Sequence, residues 1–254
     1  MNFKNKVVLI TGASTGIGKE LAIALSKIDC KLILIARRIE LVEELVKDIS
    51  SESKAEFLTL KCDVSKKEEV ADAYKKTISK FGRMDVAILN AGFGENMQVE
   101  EYNSELAETT FGANVFGIIY WVEQLLPDFL KRKDGMIVGV SSLADNRGFS
   151  ESGFYCASKA ATSIYLEGLS VELKSKNIKV ITVKPGFVKT PMTDKNDFEM
   201  PMLMEPDKAA KIIISGIENE KRTIQFPFPI VLASKLIGLV PNWLYEFLAS
   251  RRKS

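Results

Sequence analysis

The stretch KVVLITGASTGIGKELA, residues 6–22, decides how the chain is read. Residues 6–11 form a continuous apolar run without polar alternation, the pattern of a strand covered on both faces. A glycine-rich segment follows at once: Thr11-Gly12-Ala13-Ser14-Thr15-Gly16-Ile17-Gly18. Beyond it, Ile17, Leu21, Ala24, Leu25 and Ile28 recur at helical spacing and predict a helix over 17–28. A buried strand that passes through glycines into a helix is an arrangement for holding a dinucleotide. Gly12 permits the tight turn, Gly16 lets the backbone approach a pyrophosphate, and Gly18 allows close helix–sheet packing. The helix N-terminus offers free N–H groups to the phosphates. Ser14, Thr15 and Ile17 are expected to complete the cofactor contacts of this loop.

The same rhythm continues outward. Apolar runs at 31–36, 56–62, 84–90, 135–141, 178–184 and 223–227 predict six more strands. Helical patterns separate them at 38–50, 66–81, 104–131 and 153–176, with Ser65 as an expected N-cap and Glu68 three residues on. Strand–helix alternation implies crossover connections and a doubly wound sheet. The expected fold is α/β: one Rossmann-type domain over residues 1–254, with a mostly parallel seven-stranded sheet flanked by helices. Residues 187–205 break the rhythm, and 191–205 is expected as a substrate loop or lid over the carboxyl edge of the sheet. Residues 223–254 are expected to add the last strand and helices that close the substrate pocket or a subunit contact.

Composition narrows the function. Thirty-five Lys and Arg against 33 acids give a net charge of +2, so no overall polycation is present to bind nucleic acid. The chain has no histidine, which excludes Ser-His-Asp and Cys-His nucleophile systems and His-ligated metal sites. No metal is expected. Proton chemistry falls to Tyr, Lys, Asp, Glu or Cys. Cys30, Cys62 and Cys156 are odd in number and lack a C-x-x-C pair, which points to a reducing, cytoplasmic setting. The N-terminal apolar run is short and ends in a glycine turn, so it reads as a strand and not a signal peptide. Residues 223–249 are apolar, but Pro227, Pro229, Lys235 and Pro241 interrupt them, so they do not read as a spanning helix.

Two further motifs stand with the glycine loop, whose spacing is G-x3-G-x-G. Asn90-Ala91-Gly92 follows the fourth strand, and Tyr155-Cys156-Ala157-Ser158-Lys159 lies on a later helix. Together, in this order and spacing, they resemble the short-chain dehydrogenase/reductase family. The resemblance covers residues 5 to about 191; beyond that it extends to general architecture only.

The residues also address the choice of cofactor. An NAD-binding unit places an acid at the end of its second strand to hold the ribose 2′-OH. Here that position is Ala36, followed by Arg37 and Arg38. A guanidinium beside a small neutral residue suits a 2′-phosphate, so NADP(H) is expected, held by Arg37 with help from Arg38. The resemblance implies that Asp63, followed by Val64, receives the adenine amino group, and that Asn90, Ala91 and Gly92 run past the cofactor. It also implies that Pro185, Gly186, Val188 and Thr190 shape and contact the nicotinamide end.

Tyr155 and Lys159 are four residues apart in a helical segment and share a face. A phenol titrates near 10, and a nearby ammonium favours its phenolate, so this pair is an acid–base group that needs no histidine. Ser142, thirteen residues before Tyr155, is implied by the resemblance to hold the substrate oxygen. Ser141 is the alternative by one position, but strand alternation aims it at the other face. Asn114 is implied to hold a water that links Lys159 to solvent. Cys156 is read as a packed small side chain rather than a reactive thiol.

The expected activity is an exchange of reducing equivalents between NADP(H) and a carbonyl or secondary alcohol, with a hydrophobic ketone or aldehyde as substrate. The alternative is a non-catalytic NADP(H)-binding regulatory or scaffold protein. Met192, Met200, Met202 and Met204 either line a lid over the substrate or pack the loop onto the sheet. The long helices carry Phe111, Phe116, Tyr120, Trp121, Ile164, Tyr165 and Leu169, more apolar surface than one sheet face needs. A homodimer or homotetramer is expected. Residues 223–254 hold Lys235, Arg251, Arg252 and Lys253 against Glu246, a net of +3. Contact with a membrane surface is the less favoured reading of that segment.

Overall fold

Strand β1 (Val7–Thr11) is buried at every position, as an unbroken apolar run between two helical layers requires. Six more strands follow: β2 (Lys31–Ala36), β3 (Glu56–Lys61), β4 (Val86–Leu89), β5 (Gly135–Val140), β6 (Ile178–Pro185) and β7 (Thr223–Phe226). They form one sheet in the order β3-β2-β1-β4-β5-β6-β7. Every neighbouring pair is parallel, so the sheet is wholly rather than mostly parallel. The computed structural model describes residues 1–250. Arg251, Arg252 and Lys253 of the basic C-terminal cluster lie outside the described residues.

Parallel neighbours need crossovers, and the helices supply them. They are α1 (Gly16–Ser26), α2 (Ile39–Ile49), α3 (Lys67–Phe81), α4 (Ser104–Phe111), α5 (Gly117–Arg132), α6 (Gly153–Leu173), α7 (Pro206–Glu218), α8 (Phe228–Leu239) and α9 (Asn242–Ser250). Side chains alternate across the sheet. Val8, Ile10, Leu32, Leu34, Ile88 and Val138 face Leu21 and Leu25 of α1, Val42 and Leu45 of α2, and Ile213 and Ile217 of α7. Leu9, Ile33, Ile35, Ala87, Leu89 and Ile137 face Val70 of α3, Trp121, Leu125 and Phe129 of α5, and Leu166 and Leu173 of α6. The strand order reverses between β1 and β4, and the loops that leave their carboxyl ends diverge there. This is where an open parallel sheet offers a crevice for a ligand.

Three local expectations need correction. Ser65 does not cap α3: the helix begins after Lys66, which caps it without a side-chain bond, and the Ser65 hydroxyl donates to Asp63 Oδ1 at 2.8 Å. The bond to Asp63, with the Ser65 N–H donating to the same Oδ1, ties Ser65 into a local turn ahead of the helix. The single helix expected over 104–131 is α4 and α5 joined through a π-helical turn at Gly112–Phe116, which contains the buried Asn114. Trp121 and Leu169 are not surplus surface, because both turn into the core. Phe116, Ile164 and Val171 remain exposed on these helices.

The 187–205 segment runs past Gly16 and Gly94 at the carboxyl edge, where Lys195 pairs with Glu95 at 3.0 Å, and then returns to its starting point. Val188 and Met204 form a parallel bridge, and Met204 packs on the core. Among the described residues no single helix is long and apolar enough to cross a membrane.

Candidate functional site at the carboxyl edge of the sheet

The glycine loop and the turn after β4 are tied together at the switch point. Asn90 Nδ2 donates to the carbonyl of Thr11 at 3.0 Å, and the Ala91 N–H donates to Thr11 Oγ1 at 3.0 Å. Asn90 therefore holds the two strand ends in register. Gly12 has φ +68°, a left-handed turn that carries the chain off β1. Gly18 is excluded from any other identity by packing: a Cβ there would lie 2.2 Å from the Gly12 carbonyl oxygen. Thr15 caps α1 without using its side chain, and the first turn of the helix holds no acid. Its N–H groups and dipole therefore favour an anion. A crevice of about 430 Å³ opens beside the loop, lined by Ser14, Thr15, Gly16 and Lys19, with Leu41 and Glu44 of α2 and Pro191 around it. Ile17 lies half-buried on the first turn.

The ends of β2 and β3 supply the next group. Ala36 is buried at the end of β2, and Arg37 is exposed just beyond it. Arg37 Nη1 lies 4.0 Å from Asp63 Oδ2. The other carboxylate oxygen of Asp63 accepts from the Ser65 N–H and hydroxyl. Arg38 is exposed and immediately precedes α2. Val64 is buried against Gly117. The residues of this edge fit a dinucleotide: a left-handed glycine turn, an uncapped helix start free of acids, and a guanidinium where an acid would repel a phosphate.

Ser142, Tyr155, Lys159, Asn114 and Gly92 come together beyond β4 and β5. Tyr155 and Lys159 lie on one face of α6, with the ammonium 5.7 Å from the centre of the phenol ring. Lys159 Nζ donates to the Val140 carbonyl at 3.0 Å, and burial pulls its pKa down to about 8. Burial pushes the Tyr155 phenol above its usual range, opposed by a hydrogen bond with the Ser142 hydroxyl. The expectation from sequence is that Lys159 lowers the phenol's pKa; in the structure burial is the largest influence on it, and the Lys159 ammonium is turned toward Val140. A phenol held protonated beside a serine hydroxyl can deliver a proton to an oxygen placed between them.

Ser141 and Ser142 part as strand alternation requires. The Ser141 hydroxyl is buried and donates to the Lys159 carbonyl at 2.8 Å, whereas Ser142 faces Tyr155. Asn114 uses its whole amide. Oδ1 accepts from the Phe93 N–H at 2.7 Å, and Nδ2 donates to the Phe93 carbonyl at 2.8 Å and to Ser158 Oγ at 2.9 Å. The π-helical turn places this polar side chain where those partners are. It thereby fixes the loop after β4 against α6. Asn114 Oδ1 and Lys159 Nζ both flank Gly92, 3.1 and 3.4 Å from the point its Cβ would occupy. The Tyr155 ring lies against Gly94, with Met192 Sδ on the same side.

The turn after β6 completes the edge. Pro185 ends the strand, and the Gly186 N–H donates to the Phe226 carbonyl at 2.8 Å. Val188 is buried and its carbonyl accepts from Thr193 Oγ1 at 2.8 Å. Thr190 lies directly against Gly16, so this turn and the glycine loop meet. Cys156 is buried with its thiol pushed up by desolvation, an inert packing residue as expected.

Sequence reasoning missed a second group under the site. Asp145, three residues after Ser142, is buried with Lys184 Nζ at 2.6 Å, and it also accepts from Ser163. Ser163 Oγ lies 2.8 Å from Ser141 Oγ. The pair links the loop after β5 to α6 and β6. Lys184, at the end of the run 178–184 and next to Pro185, was its signal in the sequence.

The model of the short chain dehydrogenase family matches residues 6–200. The chain belongs to that family. An uncharacterized oxidoreductase of Myxococcus xanthus is 30% identical over 246 residues, covering 97% of each chain. An alcohol dehydrogenase from the archaeon Thermococcus sibiricus, solved with 5-hydroxy-NADP, is 26% identical with a TM-score of 0.78, over 88% of this chain and 95% of that one. A Burkholderia phymatum short chain dehydrogenase/reductase, solved with NAD, shares the fold at 22% identity with a TM-score of 0.85, over 93% of this chain and 94% of that one. The fold of this short-chain dehydrogenase is thus the family's own, and the family is one of oxidoreductases.

Proposed function

We propose that this short-chain dehydrogenase is an NADPH-dependent reductase of hydrophobic ketones or aldehydes. One observation carries the reading: a protonated phenol, Tyr155, is hydrogen-bonded to Ser142 and lies beside the buried Lys159 at the carboxyl edge of the sheet. A reduced nicotinamide, when bound, supplies the reducing equivalent. Ser142 holds the carbonyl oxygen, and Tyr155 gives that oxygen a proton as charge develops on it. A phenol is protonated at neutral pH, and reduction consumes that form. Lys159 stands where a cofactor ribose passes Gly92 and supplies positive charge beneath the phenol. Asn114 is a positioning residue that holds Phe93 and Ser158 in place. Gly12, Gly16, Gly18 and the α1 N-terminus hold the phosphates, and Asp63 and Asn90 border the adenine and ribose path.

The choice of NADPH over NADH rests on Arg37 and on the neutral Ala36 where an acid would otherwise stand. Both nicotinamide forms occur among structures with this fold: the Thermococcus enzyme holds an NADP derivative and the Burkholderia one NAD. The exposed Phe116, Ile164 and Val171 support a homo-oligomer formed through the α5–α6 face.

The test is a panel of hydrophobic ketones and aldehydes followed by NADPH absorbance, with wild type and Tyr155→Phe in parallel. Turnover is expected for wild type and loss of turnover for the variant, with NADPH binding retained. An active Tyr155→Phe enzyme would overturn the assignment.

A further inference from the structure

Helices α8 and α9 present an apolar face that the fold does not cover. Phe228 is 76% exposed, Leu239 81% and Trp243 71%, and Leu232, Leu236 and Leu248 are each about half exposed. Phe228, Leu232, Leu236 and Leu239 recur at helical spacing and form one stripe along α8. The one buried residue of α8, Val231, lies on the inner side. A soluble monomer rarely leaves so many large apolar side chains in one patch.

The two helices are not loose segments waiting to fold inward, because the loop after β5 holds them from below. Ser234 Oγ donates to the Leu143 carbonyl at 2.9 Å and accepts from Asn146 Nδ2 at 2.7 Å. Arg147 donates to the carbonyls of Ile237 and Val240 and to Asn242 Oδ1, and its guanidinium lies 5.0 Å from the centre of the Tyr245 ring. The Tyr245 hydroxyl donates to the Gly148 carbonyl at 2.7 Å. The apolar stripe is therefore fixed facing outward.

We propose that this face seats in the surface of an anionic lipid bilayer. Three features select that occupant. Charge is the first: from 228 to 254 the chain carries Lys235, Arg251, Arg252 and Lys253 against Glu246 alone, a net of +3, while the remainder sums to −1. An apolar stripe that carries Lys235 and is followed in sequence by a basic run suits acyl chains together with lipid headgroups. Shape is the second: α8 and α9 meet at a bend of 120°, and neither is long enough to span, so both lie along an interface rather than through it. The third is Trp243, exposed at the start of α9, where an indole belongs at headgroup depth. A second copy of the chain is disfavoured by the same charges. A two-fold contact through this face would pair two chain segments that each carry a net of +3 in sequence. The proposal does not depend on which substrate the enzyme reduces.

The experiment uses the full chain with vesicles of phosphatidylcholine, with or without phosphatidylserine. The chain has two tryptophans, and Trp121 is fully buried, so a change in emission on vesicle addition reports Trp243. Wild type is expected to cosediment with the phosphatidylserine vesicles and to show a blue shift. Leu232→Glu/Leu236→Glu is expected to bind at least about tenfold more weakly. Lys235→Glu, an exposed single change, is expected to lose about tenfold on the anionic vesicles only. Circular dichroism confirms that both variants keep the wild-type fold. Wild type that stays in the supernatant with unchanged emission would overturn the proposal. So would equal binding to both vesicle types, or a light-scattering result in which Leu232→Glu/Leu236→Glu splits an oligomer that ignores vesicles.

Discussion

Replacing Lys159 with methionine removes a buried charge while keeping an unbranched side chain of similar reach. In the folded chain Lys159 is 4% exposed, and burial lowers its pKa from 10.5 to about 8. The unfolded chain therefore binds more protons than the folded one between pH about 8 and 10.5. Stability from this group rises with pH across that window, and its cost is fully present below pH 8. The gap between the two values corresponds to about 3 kcal/mol at neutral pH. The hydrogen bond from Nζ to the Val140 carbonyl offsets part of this, by roughly 1.5–3 kcal/mol as a charged bond. Lys159→Met should therefore be as stable as wild type at pH 7, or more stable by about 1 kcal/mol. The advantage should then move against the variant by about 3 kcal/mol as the pH is raised to 10.5. Urea unfolding of the two apoproteins in parallel, followed by circular dichroism, isolates the effect, because all other titrations cancel in the difference. Parallel pH profiles would show that Lys159 carries no such cost, and the reasoning would fail. The same substitution removes the positive charge beneath Tyr155, so activity and stability should change in opposite directions.

Three further outcomes follow from the geometry. Gly18→Ala should destabilise the chain by at least about 2 kcal/mol despite alanine's better helix propensity, because its Cβ would lie 2.2 Å from the Gly12 carbonyl oxygen and 2.7 Å from Asn90 Nδ2. A thermal midpoint equal to wild type would contradict this. Arg37→Ala should raise the KM for NADPH roughly 10- to 100-fold through loss of charge-assisted bonds to the 2′-phosphate, with little change for NADH; equal effects on both cofactors would remove the basis for NADPH preference. Asp145→Asn should cost about 2 kcal/mol in urea unfolding by leaving the half-buried Lys184 without its counter-charge, and Lys184→Met in addition should recover most of the loss. Additive losses in the double variant would mean that the pair is not coupled.

Much of the site was legible because chemistry and spacing coincided. Tyr155 and Lys159 meet because residues four apart share a helix face, and Ser142 rather than Ser141 faces them because strand side chains alternate. The run 31–36 became β2 without a change of boundary, since a strand buried on both faces must be apolar throughout. Other features left no such mark. The π-helical turn at Asn114 follows from partners more than twenty and forty residues away, Phe93 and Ser158, and a local pattern cannot show them. The same holds for Trp121 and Leu169. An apolar residue on an apolar helix does not announce which face is covered.

The sequence by itself determined the order of strands and helices, the glycine loop and the helical pairing of Tyr155 with Lys159 that we propose as the acid–base group. These depend on local periodicity and on residue chemistry, both of which are written along the chain. Tertiary structure alone decided the burial of that pair. Desolvation raises the Tyr155 pKa and brings that of Lys159 down to about 8. It also decided that α8 and α9 turn their apolar stripe outward, because Arg147 and Ser234 fix the two helices from the inner side. Desolvation and exposure are properties of a packed surface, and only the assembled layers create one.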